Sequence, residues 1–434
     1  MPKTPVHATR LRSLQALGIF CGFAAGAWLG GAEAPIKLVN PNISPITVSF
    51  IMVFGVFLAR WSVPAFIRGT SHVRHDVGQA PHLIVWAVLA GGMWAVANTL
   101  TIYAIRNVGL SIAFPLWNTN SLLGIFWGFL LFNELHYAGW KRWLGVLGGA
   151  VCMFGGATLL AVASSHQAAP GKAALGIAAA LGAGILWGTM YIPYRKAYLT
   201  GMNPLSFITF FTVGELVTMT VLAVAYRGAT PLWLELVNAR PVLFWLMLGG
   251  FVWVIGDLFQ QYATKYVGIS RGIPLSNTNQ LWGLLWGVLV FHELRGGSHT
   301  VYAQVAGGSL LMALGAVAIA LSSASEREHG AWQDAAQREG DRYGVEDEYV
   351  RAGMEGREME TRTSNDEPHT RRSGRTVLDW LLILAATGIF AVLAVVAKLP
   401  RIDIAWSWAA ALILAMIALL ATCGVALWRT TRFR

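Results

Sequence analysis

The chain has 434 residues, of which 55% are hydrophobic and only 12% charged, about half the charged share of an average soluble protein. Its net charge of +10 at pH 7 needs no nucleic acid to explain it, because Lys and Arg crowd at the cytoplasmic helix ends of membrane proteins. Such a composition argues against a soluble enzyme and for a polytopic membrane protein, to which the usual size of soluble domains does not apply.

The opening, MPKTPVHATRLR, is basic and has no small-residue cleavage site before the next apolar run. It reads as a cytoplasmic tail, 1–13, leading into a retained first helix. A bilayer core needs about 20 apolar residues per helix. By that measure helices are predicted near 14–34, 44–66, 82–105, 110–133 and 143–163. A second set is predicted near 173–194, 204–226, 241–262, 269–291 and 301–322. Thirteen of the 22 acids then fall between Glu326 and Glu367, in a stretch with few aliphatic residues that cannot bury a core of its own. Residues 324–376 therefore read as a charged cytoplasmic linker. Two more helices follow, near 377–397 and 405–428, within a C-terminal hairpin at 377–428, and then a basic tail at 429–434. Cys21, Cys152 and Cys423 all sit in apolar runs without pairing or metal spacing, and read as packing residues.

One stretch occurs twice. SIAFPLWNTNSLLGIFWGFLLFNEL starts at Ser111, and SRGIPLSNTNQLWGLLWGVLVFHEL starts at Ser270, 159 residues later. At that offset Trp94 answers Trp253, Asn98 answers Asp257 and Gly148 answers Gly307. At an offset of 158, Gly30 answers Gly188, Pro35 answers Pro193 and Phe57 answers Glu215. Residues 14–165 and 173–323 are thus predicted to be two copies of a five-helix unit. Five is odd, so the second copy enters the membrane upside down. Inverted repeats of this kind place a binding site near the midplane where the halves meet. Lys and Arg counts outside the acidic stretch, twelve on one side against six on the other, put the amino terminus inside.

Several residue types in the repeat are costly in a membrane. Pro115 and Pro274 have no N–H, so the carbonyls of Ser111 and Ser270 lose their helical partners and need another donor. Either neighbouring side chains fill a simple kink, or a bent helix opens a polar cavity. Asn118, Asn120, Asn277 and Asn279 follow. Positions two apart point to nearly opposite sides of a helix, so one Asn of each pair can face a cavity while the other bonds a neighbouring helix. Asn120 shares a face with Gly124 and Trp127, and Asn279 with Gly283 and Trp286. These two are the favoured ligand groups, since amides donate and accept without charge. Gln280 in the second run and Asn98 in the helix before the first are the further candidate ligand amides. Interhelical bonding is the bland alternative for each. Trp94 and Trp253, near the middle of their helices, can stack on a sugar ring. Glu215 lies mid-helix in FFTVGELVTMT and Asp257 lies deep in WVIGDLFQQY. A carboxyl out of water favours its neutral form, so these two are the candidate proton carriers. An ion pair with Lys265 or Arg271 is the structural alternative. Glu134 and Glu293 end their helices and read as structural. The sequence shows no metal, nucleophile or phosphate motif, and no cofactor is called for.

The run from Trp253 to Leu294 resembles the glucose/ribose uptake porter family, sugar transporters of the drug/metabolite transporter superfamily. The residues that carry the resemblance are Trp253, Gly256, Asp257, Val267, Gly268, Ser270, Pro274, Gln280, Leu281, Phe291 and Glu293. It covers 14–323 as a ten-helix unit and says nothing of 324–434. It implies import of a monosaccharide such as glucose across a bacterial inner membrane by proton symport. Its partners would be sugar, protons and the lipid bilayer. An exporter or exchanger of another metabolite is the rival within transporters. A membrane sensor or scaffold that uses the charged linker is the rival outside them. The C-terminal segment leaves a homo-oligomer, or a partner of unknown kind, open.

Overall fold

The computed structural model describes residues 5–32, 34–38, 43–108, 116–164, 173–292, 295–355, 375–399 and 403–433, and among these every regular element is helical. The first half of the bundle holds α1 (Pro5–Gly31), α2 (Pro45–Ile67), the short α3 (Ser71–Gln79), α4 (Leu83–Val108), α5 (Asn120–Phe132) and α6 (Gly149–Ser164). A helical turn, Trp140–Trp143, and a π turn, Leu144–Gly148, lead into α6. The second half holds α7 (Ala173–Leu199), α8 (Pro204–Arg227), the short α9 (Ala229–Asn238), α10 (Leu243–Val267), α11 (Ile269–Ser276), α12 (Asn279–Leu285) and α13 (His299–Leu321). After it come α14 (Glu326–Tyr343), α15 (Asp347–Glu355), α16 (Val377–Val396) and α17 (Trp406–Thr431). Ten helices among the described residues are long and apolar enough to cross a membrane, and the protein is an all-α polytopic membrane protein.

The two predicted spans that carry Asn-Thr-Asn are the ones that are not single long helices. The run near 269–291 breaks at Asn277–Thr278 into α11 and α12, and a π turn, Trp286–Val290, follows. Pro274 removes one donor from the ladder and the polar triplet removes the incentive to continue it. In the run near 110–133, helical Leu116 and Trp117 give way to a turn at Asn118–Thr119 and the helix resumes at Asn120; Pro115 lies outside the described residues. At the other extreme, α1 starts at Pro5, inside the stretch read as a tail.

Packing relates the halves by a two-fold exchange. Helix α4 packs on α7 as α10 packs on α1, and on α8 as α10 packs on α2. Helix α5 packs on α7 as α12 packs on α1, while α2 meets α8 and α6 meets α13 across the axis. Glycines fix the register. A Cβ at Gly55 would run into the Met247 carbonyl, and one at Gly214 into the Val88 carbonyl, both partners shifted by 159 residues (214 − 55 and 247 − 88). Gly91 meets Phe211 and Gly250 meets Met52 at the same shift. The counterpart of Glu215 is therefore Val56, not Phe57: the offset of 158 belongs to α1 and α7, and the extra residue is absorbed before α2. Two groups of helices emerge, α4, α5, α7 and α8 on one side of a seam and α10, α11, α12, α1 and α2 on the other.

The stretch read as a linker is helical at Glu326–Tyr343 and Asp347–Glu355. Ser325 caps α14 through the Glu328 N–H at 3.2 Å, acids fill the first turn, and Gly344 closes the helix at φ +65. The composition is indeed too polar to build a core. Instead Ala335, Ala336, Val345, Tyr349 and Val350 join the core of the bundle, and Trp332 is buried. Helix α16 starts with a Thr376–Asp379 capping box, and Asp379 also accepts the Thr70 N–H at 2.7 Å. Helix α17 lies on α1, where Trp28 Nε1 donates to the Met416 carbonyl at 3.0 Å. There Cys21 and Cys423 meet with sulfurs 3.4 Å apart as free thiols.

His329 of α14 is held in its neutral form: burial pushes its pKa down to about 4, against a weaker opposing pull from the Ser325 carbonyl. An imidazole depressed in the folded protein stabilises it fully above its unfolded pKa of about 6.5, and that contribution drains away as pH falls toward 4. At pH 5 the loss is at most about 2 kcal/mol. Hydrogen exchange across 326–343, corrected for intrinsic chemistry, should therefore quicken by up to about thirty-fold between pH 7 and pH 5. His329→Gln should remove that pH dependence.

Candidate functional site

The break between α11 and α12 and the start of α5 face each other across the seam. The Asn277 side-chain amide donates to Asn120 Oδ1 at 3.1 Å and to Ser121 Oγ at 2.6 Å. Both Asn side chains and Ser121 are buried. Close approach to the neighbouring helices is set by glycine: Gly26 of α1 abuts Thr278, and Gly184 of α7 abuts the equivalent Thr119. Asn118 is also buried and engaged. Asn279 is only partly buried, and its Oδ1 has no hydrogen-bond partner among the described residues; nor does Oε1 of the buried Gln280. The two pairs differ: Asn118 and Asn120 are both engaged, Asn120 by the amide of Asn277, while Asn279 keeps an acceptor without a partner among the described residues. The pairing joins Asn120 to Asn277, which are not equivalent positions of the repeat. Next to them, Gln260 Nε2 donates to Ser276 Oγ at 2.5 Å, which carries the polar layer along α10.

One turn further along α10 the layer becomes charged. Arg60 of α2, Glu215 of α8 and Asp257 of α10 are all without solvent exposure. Arg60 Nη2 is 2.8 Å from Asp257 Oδ2, while its Nε is 3.9 Å from Glu215 Oε2. The Gln261 amide donates to Asp257 at 2.6 Å, and the Tyr198 hydroxyl donates to Gln261. Neither oxygen of Glu215 has a hydrogen-bond partner among the described residues. The Arg60 guanidinium lies 4.2 Å from the Phe211 ring centre and 5.3 Å from that of Trp253. Trp253 in turn meets Trp94 edge to face at 4.9 Å, across the seam. The two indoles close on each other here, and Trp94 is only 2% exposed.

Sequence reasoning missed Arg60. It counts among the cations of the inner segments, yet it lies two-thirds along α2 with no exposure. The partner of Asp257 is therefore Arg60, not Lys265 or Arg271. Arg271 instead pairs with Glu328 at 2.8 Å, and Glu134 pairs with Arg195 at 2.9 Å. Glu134 also accepts the N–H groups of Ile269 and Ser270 at 3.0 and 2.8 Å, which makes it the N-terminal cap of α11. Glu293 lies outside the described residues. The signal for Arg60 was available: an Arg nearly two turns inside a helix end needs a carboxylate at its own depth.

The equivalent place in the other half is neutral. Asn98 donates to Ser49, and the hydroxyls of Ser49 and Thr99 point at the Met219 sulfur at 3.7 Å each. Met219 is the counterpart of Arg60, and Asn98 that of Asp257. Duplication thus left one charged site and one neutral one.

Residues 178–340 match the family model described as "Sugar transport protein". A Streptococcus pyogenes serotype M1 protein provisionally described as a sugar uptake protein is 47% identical over 64 residues, which is 14% of this chain and 22% of that relative. A similarly described Listeria innocua protein is 21% identical over 238 residues, 54% of this chain and 77% of the relative. The glucose uptake protein GlcU of Staphylococcus xylosus is 21% identical over 216 residues, 49% of this chain and 69% of the relative. The streptococcal match spans about a fifth of that relative's length. The resemblance read from residues 253–293 is thus met by a family match over the same residues.

Proposed function

We propose that the protein is a secondary active transporter that imports a monosaccharide by alternating access, coupled to protons, with its amino terminus inside a bacterial inner membrane. The observation that carries this reading is the seam itself. Two interrupted helices, one from each half, present amides to each other at depth, and a charged cluster lies beside them. Discontinuous helices at a repeat interface are the usual substrate-binding element of such transporters. Neutral amides with open acceptors suit a hydroxylated, uncharged solute. Asn118, Asn120, Asn277, Asn279, Gln280 and Asn98 are the groups proposed to bind it. Trp94 and Trp253 are proposed to stack on it once they part.

Coupling is proposed to work by charge balance. One guanidinium cannot neutralise two carboxylates, and an uncompensated charge away from water is costly. Asp257 sits with Arg60 on one side of the seam, and the Gln261 amide donates to the same Oδ2 that Arg60 meets. Glu215 sits on the other side, unbonded, and is the acid proposed to carry the proton.

Counterflow of labelled sugars in liposomes tests the reading. Asn120→Ala and Asn279→Ala should each insert normally and weaken half-saturation by roughly tenfold, the worth of one hydrogen bond to the solute. Unchanged half-saturation in both removes them from the site. No counterflow of any sugar by the parent protein would favour the sensor reading, for which the docked α14 and α15 are the supporting observation.

A further inference from the structure

We infer that α14 and α15 form a latch that holds one end of the transport seam shut, so that the appended segment restrains the carrier to which it is joined. This rests on the transport reading above. The geometry is that of a clamp across the two helix groups. Glu328 accepts from Arg271 Nη1 at 2.8 Å and from Nη2 at 3.1 Å, and the same carboxylate accepts the Leu135 N–H at 2.9 Å. Arg271 belongs to α11, on one side of the seam, and Leu135 follows α5, on the other. Those two segments cannot part at this end without breaking a fully buried, bidentate contact.

The remaining contacts repeat the pattern. Toward α7 the Trp332 ring lies 4.6 Å from the Arg195 guanidinium, and Glu339 pairs with Lys196 at 2.9 Å. Toward α1 the Gln15 amide donates to the Ala324 carbonyl at 2.7 Å, and Arg10 donates to the Glu355 carbonyl at 2.8 Å. Tyr349 donates to Asp76 of α3 at 2.9 Å, and Asp76 also accepts from Ser206 of α8 at 2.5 Å. Both sides of the seam are therefore tied to one small helical unit. It lies at the end of the bundle that also holds Arg10 and Phe433, near the two termini, since Phe433 accepts from Asn203 and Tyr262. With the amino terminus inside, that end is where an importer must open to release its solute.

The experiment uses the full chain in liposomes. To tighten the latch, Gln15→Cys and His329→Cys are placed in a Cys152→Ser background and bridged with a bifunctional methanethiosulfonate, which forms two mixed disulfides that a thiol reductant reverses. Gln15 Nε2 and His329 Nδ1 lie 3.4 Å apart, within reach of such a bridge. To loosen it, Glu339→Lys sets two cations against each other at a partly exposed position. The bridge should cut counterflow at least tenfold, with recovery on reduction, and Glu339→Lys should raise it several-fold. Equal counterflow with and without the bridge overturns the latch. If the parent moves no sugar at all, the transport reading fails by itself, and exchange decides the latch: the bridge must slow hydrogen exchange at 268–276, and unchanged exchange there sinks it.

Discussion

Glu215→Gln should abolish accumulation driven by a pH gradient while leaving counterflow within a few-fold of the parent. The substitution keeps the shape of the side chain and removes its proton. Glu215 makes no hydrogen bond among the described residues, so little structure depends on its charge. Arg60 retains Asp257 at 2.8 Å, and the pair is then neutral in every conformation. A carrier with a permanently neutral cluster can still exchange solute across the membrane. It can no longer draw on the proton gradient, which at one proton per solute is worth about tenfold accumulation per pH unit. In liposomes with an inward acid gradient the parent should concentrate sugar, and the variant should stop at equal concentrations inside and out. Accumulation by the variant to the level of the parent would clear Glu215 of the role and move it to Asp257.

What the sequence made legible follows from the duplication. Paired motifs at a fixed offset expose a two-fold fold directly, because each internal match constrains both halves at once. The Asn-Thr-Asn triplets and Pro274 marked where a helix breaks, since each opposes helix continuation on its own. Three features could not be seen that way. Arg60 has no charged counterpart, its equivalent being Met219, so the repeat offered no cue, and counting Lys and Arg by segment hid its depth. The docking of α14 and α15 depends on single contacts such as Glu328 with Arg271, 57 residues apart, that no local pattern encodes. A polar segment with too few aliphatic residues for a core of its own reads as a linker, whereas the neighbouring bundle supplies the missing apolar surface to α14 and α15. The offset assigned to Glu215 failed for a smaller reason: one residue between α1 and α2 shifts the register, and only the reciprocal glycine contacts reveal where.

The asymmetry of the two sites leads to the second large effect. Arg60→Met leaves Asp257 ionised, fully buried and with the Gln261 amide as its remaining close donor. Breaking a buried ion pair by removing one partner costs about 3–5 kcal/mol, because the other charge stays behind without water. The unfolding midpoint in detergent should fall sharply. Adding Asp257→Asn should recover most of the loss, for a reason particular to this protein. The double variant places Met and Asn where the other half already has Met219 and Asn98, a pair that packs without charge beside Ser49. It copies a solution the bundle already contains. The recovered protein should be stable and, with no cation left for Glu215 to answer, unable to couple sugar to protons. If the double variant is as unstable as Arg60→Met, the cost arises from lost packing against Phe211 and Trp253. The charge balance proposed for the cluster would then lose its energetic basis.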